Sequence, residues 1–142
     1  MIEYIRGGEN PIAIIVRARY RSEGIEFLTP TSYSQQLGYM SRPKGYIINP
    51  HIHNSVNKQI DFTNEVLFIR SGSLRVDFYE ENRMYIGSKI LLIGDVILLA
   101  FGGHGFEMLD DCEIFEVKQG PYSGERDKSR FDSVSKSSII II

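Results

Sequence analysis

From Ser73 to Tyr79 the chain alternates strictly, with Leu74, Val76 and Phe78 set against Arg75, Asp77 and Tyr79. A period of two sends successive side chains to opposite faces, so the segment predicts a strand with one buried face. Glu65-Val66-Leu67-Phe68-Ile69-Arg70 predicts the strand before it, joined through Ser71-Gly72-Ser73, where Gly72 supplies the positive φ a tight hairpin often needs. Lys89 to Ile93 runs into a turn at Gly94-Asp95, and Val96 to Phe101 into a break at Gly102-Gly103. Phe106 to Leu109 resumes the pattern up to Asp110-Asp111, and Cys112 to Gln119 forms a further strand stopped by Gly120-Pro121. Upstream, Ile12 to Arg19 is β-branched, and Tyr33 to Met40 and Tyr46 to His53 read as extended. This amounts to roughly nine or ten short strands at intervals of about 8–12 residues, without a helical stripe, which predicts an all-β sandwich or small barrel.

Composition narrows the function classes. The 142 residues fit one domain spanning 1–142, and 42% apolar with 24% charged residues is ordinary globular usage. Sixteen basic against eighteen acidic residues leave a net charge of −2, which argues against a general nucleic-acid binder. The single cysteine, Cys112, excludes an internal disulfide and a cysteine-only metal site, and its expected place is an inert core position. No apolar run approaches the roughly 18–20 residues that span a bilayer. The start, Met1-Ile2-Glu3-Tyr4-Ile5-Arg6, lacks the basic-then-apolar order of a secretory signal. The expectation is a soluble, cytoplasmic protein with neither membrane nor nucleic acid as partner.

The C-terminal residues break the pattern. Ser123 to Arg130 is charged and reads as a solvated loop, Ser133 to Ser138 is low in complexity, and Ile139 to Ile142 closes the chain with four isoleucines. Such an apolar end is expected either to add a strand to a neighbouring chain or to fray. Tyr122 is a candidate cap of the barrel or of an interface.

The chain has three histidines, His51, His53 and His104. On an extended segment His51 and His53 share a face, the geometry in which two imidazoles converge on one cation. Glu65 opens a strand whose same face continues with Leu67 and Ile69, and an acid on an apolar face is costly unless paired or metal-bound. His104 follows the Gly102-Gly103 break. Three imidazoles and a carboxylate make a mixed nitrogen and oxygen set suited to Fe(II), Mn(II), Ni(II) or Zn(II), with positions left for water or substrate.

These residues fall in a recognisable order. Gly45, five residues, His51-Ile52-His53, then Glu65, six residues and Gly72 resembles the first cupin motif, and Gly94-Asp95, an apolar run, Gly102 and His104 resembles the second. The resemblance covers about Tyr39 to Gln119. It implies a double-stranded β-helix, a jelly-roll-like conical antiparallel barrel with its core over about residues 33–120, and His51, His53, Glu65 and His104 as ligands of a divalent transition metal. Two departures stand out. Eleven residues, Asn54 to Asn64, separate His53 from Glu65 where the motif ordinarily allows a few, so Gln59 within them is an alternative ligand to Glu65. Ala100 stands where the second motif has its proline. The chain is also similar to short cupins that accompany bacterial surface-polysaccharide enzymes, which implies a sugar-related ligand.

Three function classes follow. The first is a metal-dependent cupin acting on a small polar metabolite, with isomerase, hydrolase or oxygenase chemistry. The second is a metal-free nucleotide-sugar epimerase or ketoisomerase using the same histidines as general bases. The third is a non-enzymatic small-molecule-binding module. The run Ser34 to Tyr46, with Arg42 and Lys44, offers groups for an anionic or hydroxylated ligand. Edge strands make a homodimer the expected assembly.

Overall fold

A computed structural model describes residues 1–121 and 123–142. Tyr122 lies outside the described residues. The fold is all-β, with ten strands and two short 3₁₀ turns among the described residues. The strands are β1 (Ile2–Arg6), β2 (Pro11–Val16), β3 (Gly24–Phe27), β4 (Gly38–Ser41), β5 (Glu65–Ser71), β6 (Ser73–Tyr79), β7 (Tyr85–Leu92), β8 (Val96–Leu99), β9 (Gly103–Met108) and β10 (Glu113–Lys118). Among the described residues no helix is long and apolar enough to cross a membrane.

All pairing between these strands is antiparallel. One sheet has the order β1-β2-β8-β5-β10, a second β7-β6-β9, and β3 and β4 form a separate hairpin. Residues directly opposite one another in an antiparallel sheet share a face. In the five-stranded sheet one face therefore carries Ala13 and Ile15 of β2, Ile97 and Leu99 of β8, and Leu67 and Ile69 of β5. In the three-stranded sheet Leu74, Val76, Phe78 and Leu91 form the corresponding face, and the two faces pack into one core. The alternation from Ser73 to Tyr79 is realised as a strand, but both of its faces are covered: Phe78 is 1% exposed on the core face, while on the opposite face Asp77 and Tyr79 are each 4% exposed and Arg75 pairs with Asp77 at 2.7 Å and Glu107 at 2.6 Å. Cys112 packs against this core, where burial raises its thiol pKa.

Two turns hold the sheets in place. Gly72, at φ 74°, joins β5 to β6, and a Cβ there would fall 2.1 Å from the Asp111 carbonyl oxygen, so only glycine fits this corner. At Gly94-Asp95 the buried Asp95 carboxylate accepts from the Leu92 amide at 3.0 Å, from the Ala18 amide at 2.8 Å and from Arg17 Nη1 at 2.8 Å. The turn between β7 and β8 is thereby fastened to the end of β2.

The structure corrects three expectations. The sheets do not join by strand pairing into a closed barrel; they face one another as in a sandwich. One reason lies in residues 44–63, which form no strand although Tyr46 to His53 reads as extended. Pro43 and Pro50 lack the amide a ladder needs, and the polar run after His53 has no alternation to bury. The isoleucine tail, expected to fray or to add to a neighbouring chain, is held within its own chain. It pairs with its own β7: the Ser88 amide donates to the Ile140 carbonyl at 2.7 Å and the Ile142 amide to the Ser88 carbonyl at 3.0 Å, forming a parallel bridge between Ser88 and Ile141. The β7 edge of the three-stranded sheet is paired at Ser88 in this way.

Candidate functional site

At one end of the core faces of the two sheets, polar side chains follow the apolar ones. Glu65, the first residue of β5, lies opposite Lys118, the last of β10, and both project from the face that carries Leu67 and Ile69. His104, on β9 opposite Phe78, projects from the facing sheet. Across the gap His104 Nε2 stands 3.2 Å from Glu65 Oε2, and Lys118 Nζ bonds Glu65 Oε1. Glu65 is 8% exposed, and it is held in a doubly paired state. The contact with His104, followed by that with Lys118, outweighs the cost of burial and draws the Glu65 pKa down to about 2. The pairing with Glu65 raises that of Lys118.

The neighbouring Asn64 fixes where this carboxylate begins. It is 4% exposed. Its Nδ2 donates to the Ala100 carbonyl at 2.5 Å, its Oδ1 accepts from Ser34 Oγ at 2.9 Å, and its carbonyl accepts the Gln119 amide at 3.0 Å. Asn64 thus ties the start of β5 to the ends of β8 and β10, and the register of Glu65 against Lys118 follows. Neither Asn64 nor Lys118 stands out in the sequence. The only cue was that an acid on an apolar face demands a partner, and Lys118, directly opposite on β10, supplies it.

Glu65, His104 and Lys118 line a cavity of about 620 Å³. Its apolar wall comes from Phe62, Phe101 and Phe106, and its outer rim from Asp127 to Phe131. An acidic partner on one imidazole nitrogen orients the ring. A neutral imidazole that donates Nε2–H to a carboxylate accepts a proton only at Nδ1. The arrangement can bind a small polar molecule against an aromatic wall and exchange a proton with it.

The sequence-predicted ligands divide into two pairs. Glu65 and His104 meet. His51 and His53 lie on the exposed segment 44–63 with ring centroids 5.2 Å apart, His51 Nδ1 is 3.1 Å from the Asn49 carbonyl, and Ile52 between them is 90% exposed. Gln59 is exposed and donates to Asp61 at 2.7 Å. Among the described residues no three His, Cys, Asp or Glu side chains are grouped to hold a metal ion. As arranged here, the four side chains do not form one donor set. Arg42, a candidate anion contact, stacks over the Tyr46 ring at 4.6 Å, away from the cavity, and Lys44 is exposed.

No protein family, no curated protein and no solved structure matches this chain. The function is therefore read from the cavity.

Proposed function

We propose that the protein is a cupin-type domain that takes a small polar, sugar-related metabolite into the cavity beside β9 and transfers a proton to or from it through His104. The observation that carries this reading is the 3.2 Å contact between His104 Nε2 and Glu65 Oε2 at the wall of a cavity of small-molecule size. Glu65 holds the ring and offsets the charge that the imidazole gains when protonated. Lys118 keeps Glu65 ionised when His104 is neutral. The aromatic side chains exclude water from one side of the ligand and suit the apolar face of a sugar ring. Epimerisation or ketoisomerisation next to a carbonyl is the reaction type that such a base serves.

The test is exchange of solvent deuterium into nucleotide-sugars and simple keto-sugars, in the presence of chelator. The wild type is expected to exchange, and His104→Ala to lose about 10²–10⁴-fold of that rate, the usual span for a positioned acid or base. Glu65→Gln, which keeps the shape, should lose rate with little change in ligand affinity. Equal exchange by wild type and His104→Ala would remove the reading.

A second reading keeps the divalent metal. It is favoured by the meeting of Glu65 and His104, two of the four ligands that the cupin resemblance implies, from distant parts of the chain. Its test is elemental analysis of untagged protein purified without chelator. A retained transition metal that is lost in His51→Ala/His53→Ala supports it, and metal-free protein sinks it. The homodimer belongs to the same proposal, and light scattering at micromolar concentration checks it.

A further inference from the structure

Four strands bound the two sheets, β1 and β10 the larger, β7 and β9 the smaller. A free edge is a row of unpaired amides and carbonyls that invites a further strand unless something blunts it. The β7 edge is paired at Ser88 by the tail. On β9 the Phe131 ring stands against Gly103, and Lys136 Nζ lies 3.5 Å from Glu107 Oε1. β1 exposes one large apolar side chain, Tyr4. β10 differs. Phe115 and Val117 are 57% and 59% exposed, and Phe68, opposite Phe115 on β5, is 41% exposed beside them. Among the described residues no strand pairs with the outer edge of β10.

The backbone defines what that edge offers. The Gln119 amide donates to the Asn64 carbonyl, and bonding direction alternates along a strand, so Phe115 and Val117 also bond toward β5. Ile114, Glu116 and Lys118 therefore turn their amides and carbonyls outward. A second copy that meets this edge antiparallel, about a two-fold axis, sets residues of the same face opposite one another. An axis at Glu116 or Lys118 opposes like charges, and an axis at Phe115 sets Glu116 against the apolar Ile114. An axis at Val117 sets Glu116 of each copy against Lys118 of the other, with valine on valine and Phe115 flanking on the same face. This register alone matches charge with charge. Glu116 and Lys118 also line the cavity, together with His104 and Phe106 of β9.

We propose that two copies of this chain join through their β10 edges about a two-fold axis at Val117, continuing the five-stranded sheet across the pair. Each copy lends its Glu116 to the Lys118 of the other, so the partner completes the cavity wall beside Glu65. This deepens the reading above: it rests on the homodimer proposed there and not on proton transfer by His104.

The test is sedimentation velocity of the full chain at micromolar concentration, with circular dichroism to show that each variant is folded. The wild type is expected to sediment as a dimer. Val117→Lys puts two cations at the axis, and Glu116→Arg opposes cation to cation, so each should weaken association about tenfold or more. Tyr4→Lys, on the β1 edge, should remain dimeric. In a Cys112→Ser background, Val117→Cys should form an inter-chain disulfide on mild oxidation, because directly opposite residues of a non-hydrogen-bonded pair stand about 4.5 Å apart at Cα, within disulfide reach. Phe115→Cys, which the register sets apart from its own copy, should not. A monomeric wild type overturns both this inference and the homodimer it rests on. A dimer that Val117→Lys leaves intact, or that cross-links through Phe115→Cys in place of Val117→Cys, overturns this inference alone. A dimer that Val117→Lys dissociates, in a protein without deuterium exchange, supports this inference and removes the proton-transfer reading.

Discussion

His104 Nε2 lies 3.2 Å from Glu65 Oε2, although the two residues belong to different sheets and sit far apart in the chain. The contact bridges the two sheets at the wall of the cavity, beside the rings of Phe101 and Phe106. Together with Lys118 it converts a buried acid, which alone would be costly, into part of a compensated triad. The same triad ties chemistry to stability.

Acid should weaken the fold through Glu65. Its pKa in the folded protein, about 2, lies below the ordinary 4.5, so the ionised form is favoured by folding. This contribution is fully present above about pH 4.5 and is lost as pH falls toward about 2. Urea denaturation across that range is expected to show stability falling with acid in the wild type and a shallower fall in Glu65→Gln. Glu3, likewise held at about 2 by Arg17 and Lys89, supplies part of the slope that remains.

Asp95 should matter more than its position in a turn suggests. Asp95→Ala strands the Leu92 and Ala18 amides and removes one partner of Arg17. The expected cost is about 3 kcal/mol, the scale for breaking a buried charged hydrogen-bond set. Equilibrium denaturation measures it. Asp95→Asn should lose less, since it keeps one acceptor oxygen.

Blocking the tail should release it without melting the sandwich. A Cβ at Gly87 would lie 2.6 Å from Ile142 Cγ2, and Gly87 sits at φ 154°. In Gly87→Val, hydrogen exchange at the Ile140 and Ile142 amides should approach that of unstructured chain. Amides of β5 and β8, which pair on the other sheet, should keep their protection.

The core should respond as a close-packed one. Phe78, 1% exposed, sits among Leu74, Val76 and Leu91 and directly opposite His104. Phe78→Ala is expected to cost about 3–5 kcal/mol through lost burial and the cavity left behind. The same variant should also perturb the His104 ring signals in NMR, because the ring rests on the strand that Phe78 anchors.

Much of this architecture was legible from local pattern, because a period of two depends only on which residues are neighbours in sequence. It placed β5, β6, β8 and β10, the glycine corner at Gly72 and the Gly94-Asp95 turn. It also marked Glu65 as an acid needing a partner. The reading of Tyr46 to His53 as a strand fails because an extended-looking segment becomes a strand only where a neighbouring edge accepts its ladder, and this segment pairs with none of the described strands.

The amino-acid order alone determined an all-β chain of short strands, since side-chain alternation and turn-forming glycines are local properties. Only the tertiary structure decided that Lys118 partners Glu65, that His104 rather than the His51–His53 pair reaches it, and that the isoleucine tail lies on β7. Those outcomes depend on how the two sheets face each other across the core, a relation between residues remote in sequence that no local periodicity encodes.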